Sequence, residues 1–167
     1  MNIPESMTWI GNWAWGVPLI VVNVLMHVVG LNLVGQFVLG DYASALRKGS
    51  AALEFVVVVA TTALFMISLH AIEAMTWAGA YLLLGALGDR KTAMLYSVGA
   101  MTTYGHASLY LKPEWQLLGT IEALDGMLLF GLTTAFMFSI FQAVGSLEKH
   151  QINWRNRHRL ETTESQS

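Results

Sequence analysis

Long apolar runs alternate with short polar breaks along the chain, and three of the runs, residues 13–39, 51–87 and 115–144, reach the roughly 20 residues that a membrane-spanning helix needs. The second run is the awkward one. Its 37 residues would form a helix of about 55 Å against a hydrocarbon core of about 30 Å. Beyond Glu54 at its start, only His70 and Glu73 interrupt it, and neither a proline nor a turn cluster marks a hairpin inside it, so the pattern predicts one long helix that tilts, bends or projects. Between the second and third runs, residues 92–101 form an apolar helical stretch with small polar residues, too short to cross. Periodicity serves two readings of it equally: an interfacial helix in an outer loop, or a re-entrant helix followed by a turn. The second implies a pore, because non-helical backbone at membrane depth is tolerated only when buried in protein or lining a water-filled path.

Composition adds that the chain, at 167 residues, 54% hydrophobic and only 12% charged, is one domain's worth of sequence made for a lipid bilayer. With no cysteine, disulfide, zinc-thiolate and thiol-nucleophile chemistry are excluded. A net charge of −2 argues against a nucleic-acid partner, which calls for a basic surface. No basic residue precedes Arg47, so the first run lacks the charged start of a signal peptide and is expected to remain as a helix. Arg47 and Lys48 after the first span, with Lys149, Arg155, Arg157 and Arg159 in the tail, place those segments in the cytoplasm by the positive-inside rule. The expected topology has the N-terminus outside and the C-terminus inside, in a bacterial inner membrane. Three segments follow: an added N-terminal helix with its loop (1–50), a central domain (51–146) and a polar tail (147–167) expected to stay mobile.

The central domain carries a resemblance. Residues 93–108, Ala-Met-Leu-Tyr-Ser-Val-Gly-Ala-Met-Thr-Thr-Tyr-Gly-His-Ala-Ser, resemble without a gap the pore helix and filter of the potassium-channel pore-domain family, the bacterial type with two helices and a pore loop. The family's filter signature T-T-V-G-Y-G-D reads T-T-Y-G-H-A-S here, at Thr102, Thr103, Tyr104, Gly105, His106, Ala107 and Ser108. Leu109-Tyr110, Trp115, Gly126 and the string Phe130-Gly131-Leu132-Thr133-Thr134-Ala135 are similar to the start, hinge and inner half of the family's pore-lining helix. The likeness covers residues 63–144. It implies an all-α membrane protein of three transmembrane helices plus a re-entrant pore helix, assembled as a homotetramer in the bilayer. It also implies hinges at Gly126 and Gly131, and no cofactor beyond the permeating potassium or sodium ion.

In such a filter, rings of backbone carbonyls replace the water around the ion, one strand coming from each subunit. Glycine lets the backbone enter the left-handed region at no steric cost, whereas a residue with a Cβ pays roughly 1 kcal/mol or more. Gly105 keeps the first glycine of the signature, but Ala107 replaces the second. His106 stands for the tyrosine that braces the family's filter, and Ser108 for its aspartate. The inner half, Thr102 to Gly105, is therefore expected to form at least one dehydrating cation site, with the outer sites altered and potassium selectivity weakened.

Ionisable residues inside a span are expensive and default to function. His27, His70, Glu73, Glu122 and Asp125 are of this kind. Glu122 and Asp125 share a helix face at i, i+3, as do His70 and Glu73, and counting rise along the antiparallel helices sets Asp125 and Glu73 at similar depth. A cluster of His70, Glu73, Asp125 and Glu122 behind the filter is the expectation. The plain role for it is an interhelical hydrogen-bond set with protonated acids; a proton relay, or an Asp125 that concentrates cations below the filter, are the others. Two mid-span histidines, His27 and His70, also raise an electron-transfer reading with haem axial ligands. Trp9, Trp13, Trp15 and Trp115 read as interfacial anchors, with Trp77 the exception inside the second run. No catalytic arrangement stands out, and an enzyme is not expected. The leading function is passive conduction of monovalent cations; a non-conducting, channel-derived scaffold or partner subunit is the other alternative.

Overall fold

A computed structural model describes residues 5–48, 51–105 and 108–164. Helices α1 (Glu5–Lys48) and α2 (Ala51–Leu83), the short α3 (Arg90–Met101), a single 3-10 turn at Pro113–Trp115 and α4 (Gln116–Glu164) make up the fold, with no strand among the described residues. Three segments, Thr8–Gly40, Phe55–Leu83 and Pro113–Leu147, are long and apolar enough to cross a membrane. The distribution of side chains agrees with lipid as the solvent. Buried positions include Asn12, Asn23, His27, Glu73, Ser97, Glu122 and Asp125, while Val21, Leu25, Val29, Phe65, Ile67, Leu124 and Phe138 lie exposed. A bilayer rewards that arrangement, since polar groups there must find partners within the protein.

Two boundaries differ from the sequence pattern. α2 stops at Leu83 rather than running to residue 87, because the chain turns left-handed at Gly85 (φ +64°) and the Ala86 N–H donates back to the Tyr81 carbonyl at 2.8 Å. That is a helix end closed by a glycine. Asp89 then caps α3, its carboxylate accepting from the Thr92 N–H at 3.0 Å. The hydrogen bonds from Thr92 hold the Asp89 carboxyl below its ordinary pKa. At the other end, α4 continues to Glu164 where a mobile tail is expected from composition. Gly145 is the last helix breaker in the chain, and extending a helix already formed in the membrane carries no nucleation cost.

The chain divides into two compact units. One joins α1 up to Leu31 to the stretch from Met66 to Thr133, and its core gathers Trp77 and Tyr81 of α2, Met101 of α3, and Leu118, Ile121 and Leu129 of α4, with Leu19, Ile20 and Val24 of α1 packed on it. The other holds Asn32–Phe65 and the chain from Thr134 onward. Val34, Val38, Val58, Ile140 and Val144 are buried there, and the Phe55 and Phe141 rings lie 6.2 Å apart. All the residues of chemical interest fall in the first unit.

Candidate functional site

Glu73, Trp77 and Tyr81 follow one another at single-turn intervals along α2, about 6 Å of rise per step, and each is fully buried. Each meets a different partner. The Tyr81 hydroxyl donates to Glu122 Oε2 of α4 at 2.5 Å, and the Trp77 indole N–H donates to Asp125 Oδ2 at 2.9 Å. Glu73 Oε1 lies 2.8 Å from His27 Nδ1 of α1, and Glu73 Oε2 lies 3.0 Å from His70 Nδ1 one turn earlier on α2. Asn23 of α1 adds a second donor to Asp125 Oδ2 at 2.9 Å. The Ser97 hydroxyl of α3 lies against Glu122 Oε1 and 2.7 Å from the Ala74 carbonyl. Nearer the end of the span, Asn12 reaches the Glu114 carbonyl at 2.7 Å and accepts from the Leu118 N–H at 2.8 Å. Three buried acids thus tie all four helices together.

Of the residues singled out by sequence, His70 and Glu73 meet directly. Glu122 and Asp125 share their face of α4 but serve different neighbours, Glu122 the α3 side and Asp125 the α1 side. His27, one of the five ionisable span residues but left out of the expected cluster, is the partner of Glu73. Asn12, Asn23, Tyr81 and Ser97 were not singled out. A signal for two of them exists in α1: Asn12, Asn23 and His27 are spaced by 11 and 4 residues, whole numbers of helical turns, so they share a stripe.

The second element is the turn after α3. The Thr102 hydroxyl donates to the Val98 carbonyl at 2.7 Å, the Thr103 N–H to Ala100 at 3.1 Å, and the Gly105 N–H to Gly99 at 3.2 Å. Thr103 (φ +56°) and Gly105 (φ +78°) are both left-handed. For Gly105 this is the freedom its lack of a Cβ provides; for β-branched Thr103 it is strain of the order of 1–3 kcal/mol that the surrounding structure must hold. Thr102 through Gly105 are exposed, Tyr104 at 90%, beside a cavity of about 360 Å³ lined by Leu95, Val98, Gly99 and Ser108 among others. His106 and Ala107 lie outside the described residues.

Two contacts fix this turn from behind: Ser97 on Glu122, and Met101 on Gly126. A Cβ at Gly126 would sit 2.6 Å from Met101 Cα and 2.9 Å from its carbonyl carbon, so Gly126 is where α3 seats its backbone on α4. Gly131 has open space around it. α4 is one uninterrupted helix through both positions expected to be hinges. No protein-family model, curated protein or solved structure matches the chain.

Proposed function

We propose that the chain is one subunit of a four-fold membrane channel for monovalent cations, with the turn at Thr102–Gly105 as the inner part of its filter. The observation that carries this reading is the turn itself. Left-handed residues at Thr103 and Gly105 break the strand-like alternation along the turn, as a filter that aims successive carbonyls at one axis requires. The same residues are exposed in the single chain while the helix in front of them is anchored by buried contacts, which suits a strand waiting for three copies of itself. Contacts of Ser97 with Ala74 and Glu122, both inside candidate spans, support α3 as a helix that re-enters the membrane layer. Topology in this reading keeps the N-terminus outside and the basic tail in the cytoplasm. Potassium is the first ion to test, with weakened selectivity expected from His106, Ala107 and Ser108. The haem alternative has less to stand on: both imidazole Nε2 atoms lie 3.1 Å from the one Thr133 hydroxyl, which takes up the space between them that an iron would need.

Flux assays on reconstituted protein under potassium, sodium and impermeant-cation gradients test the proposal. Cation flux is expected in wild type, reduced in Gly105→Ala, whose Cβ enters a left-handed position, and in Thr103→Ala. Crosslinking in lipid is expected to stop at a tetramer. A chain that stays monomeric or dimeric in lipid, or both variants conducting like wild type, overturns it.

A further inference from the structure

His27, His70, Glu73 and Thr133 close a ring of contacts. Glu73 Oε1 meets His27 Nδ1 at 2.8 Å, His27 Nε2 meets the Thr133 hydroxyl at 3.1 Å, that hydroxyl meets His70 Nε2 at 3.1 Å, and His70 Nδ1 returns to Glu73 Oε2 at 3.0 Å. Every hydrogen bond consumes one hydrogen. An ionised carboxylate supplies none, two neutral imidazoles supply one each, and the hydroxyl supplies one. Three hydrogens therefore serve four contacts, and two lone pairs must face each other somewhere. The contact without hydrogen-bond geometry is the last one: His70 Nδ1 and Glu73 Oε2 are buried and, at 3.0 Å, unpartnered. The ring is short of one positive charge.

We infer that this corner binds a divalent metal ion of the zinc class, held by His27 Nδ1, His70 Nδ1 and the Glu73 carboxylate. One possible ligand atom from each of the three residues lies within 4.8 Å of the other two, and two imidazoles with one carboxylate suit Zn²⁺ or Co²⁺ over Mg²⁺ or Ca²⁺. Tetrahedral coordination at about 2.0–2.2 Å sets donor separations of roughly 3.3 Å, a few tenths of an ångström beyond the 2.8 and 3.0 Å at which the two Nδ1 atoms meet the Glu73 oxygens. The hydrogen count then closes. With metal on both Nδ1 atoms, each imidazole carries its hydrogen on Nε2, and both donate to the two lone pairs of the Thr133 oxygen, which lies 3.1 Å from each. The hydroxyl hydrogen is released to a helix carbonyl, an ordinary arrangement for threonine. Metal-bound histidines commonly have such an outer partner for the second ring nitrogen.

An ion here would staple α1, through His27, to His70 and Glu73 of α2, and so fix the helix that lies outside the channel-like stretch. A way in exists, since His70 is the ligand that keeps some exposure, 14% of its side chain, and lines a cavity of about 280 Å³ with Ile67, Ala74, Met101 and Phe130. The site is independent of whether the protein conducts.

Chelator-stripped wild-type protein in lipid nanodiscs, titrated with Co²⁺, is the test. One tightly held ion per chain is expected, with the visible absorption of a tetrahedral nitrogen and oxygen site. It should be lost in His27→Gln and Glu73→Gln and kept in His150→Gln. Thr133→Val should weaken binding about 10–100-fold without changing the spectrum, and Thr133→Ser should restore it. Because the threonine pair leaves every ligand in place, it decides the matter even if a ligand variant fails to insert. Wild type that takes up no stoichiometric ion overturns the inference and gives the corner to a proton. Binding that persists in Glu73→Gln and His27→Gln, or that is unchanged in Thr133→Val, overturns it as well.

Discussion

Replacing Gly126 by alanine adds one methyl group where α3 rests its backbone on α4. The new Cβ would lie 2.6 and 2.9 Å from Met101 Cα and carbonyl carbon, against ordinary contacts near 3.4–4 Å. Backbone cannot rotate away as a side-chain end can, so the two helices must part by about 1 Å. Overpacking of this kind typically costs about 1–3 kcal/mol, partly offset by the gain of about 1 kcal/mol for alanine over glycine inside a helix. Gly131→Ala is the internal control, because nothing lies within 4 Å of its Cβ position and only the helical gain remains. Unfolding of both variants in the same membrane mimetic, followed by tryptophan fluorescence, should place Gly126→Ala below wild type and Gly131→Ala at or above it. Flux should fall in Gly126→Ala, since the displaced element ends in Thr102–Gly105. The result that refutes the reasoning is a Gly126→Ala protein as stable as Gly131→Ala. Raised stability with lowered flux would instead point to a hinge stiffened by alanine.

Tyr81→Phe removes the hydroxyl that donates to Glu122 and should cost about 1–3 kcal/mol for the acceptor left short of a partner in the same unfolding assay, and a variant as stable as wild type would refute that role. The Asp89 cap carries a pH dependence of definite sign. Its folded-state pKa is lowered by Thr92, so its contribution is present above the ordinary aspartate value of about 3.9 and is lost as pH falls below that and through the depressed folded value. Protection of the amides in the first turn of α3, taken relative to the intrinsic exchange rate at each pH, should fall on acidification in wild type and not in Asp89→Asn; equal acid sensitivity in both would exclude the cap as its cause. If the proposed channel reading holds, installing the potassium-channel residues with His106→Tyr, Ala107→Gly and Ser108→Asp should raise potassium over sodium selectivity in the flux assay, and unchanged selectivity with flux retained would show that this segment never approaches the ion.

Spans and buried acids were legible in the sequence because both rest on local properties. A run of apolar residues declares a membrane helix by length alone, and an acid within it stands out by its cost. The partners were not legible, for a physical reason. Trp77 stood out by its depth in the run but not by its partner, and Tyr81 and Ser97 by neither, because all three become donors only once helix crossings set them opposite Glu122 and Asp125. The i, i+3 spacing placed Glu122 and Asp125 on one face correctly, yet a face has width, and the two carboxylates diverge to different neighbours. Thr103 illustrates the opposite failure. Its side chain disfavours the left-handed region it occupies, and local preference pointed away from a conformation that the backbone bonds of the turn to Gly99 and Ala100 hold.

The ladder on α2 also orders the birth of the protein. A ribosome feeds helices into the membrane from the N-terminus, so His27 and Asn23 are in the bilayer before Glu73 arrives, and Tyr81, Trp77 and Ser97 before Glu122 and Asp125. Each of the three carboxylates Glu73, Glu122 and Asp125 is therefore synthesised after the groups that will receive it. None has to wait in lipid for a helix still to be made. Exchanging the two partners, His27→Glu with Glu73→His, would keep a carboxylate opposite an imidazole yet place the carboxylate in lipid before its partner is made, and the yield in the membrane should fall.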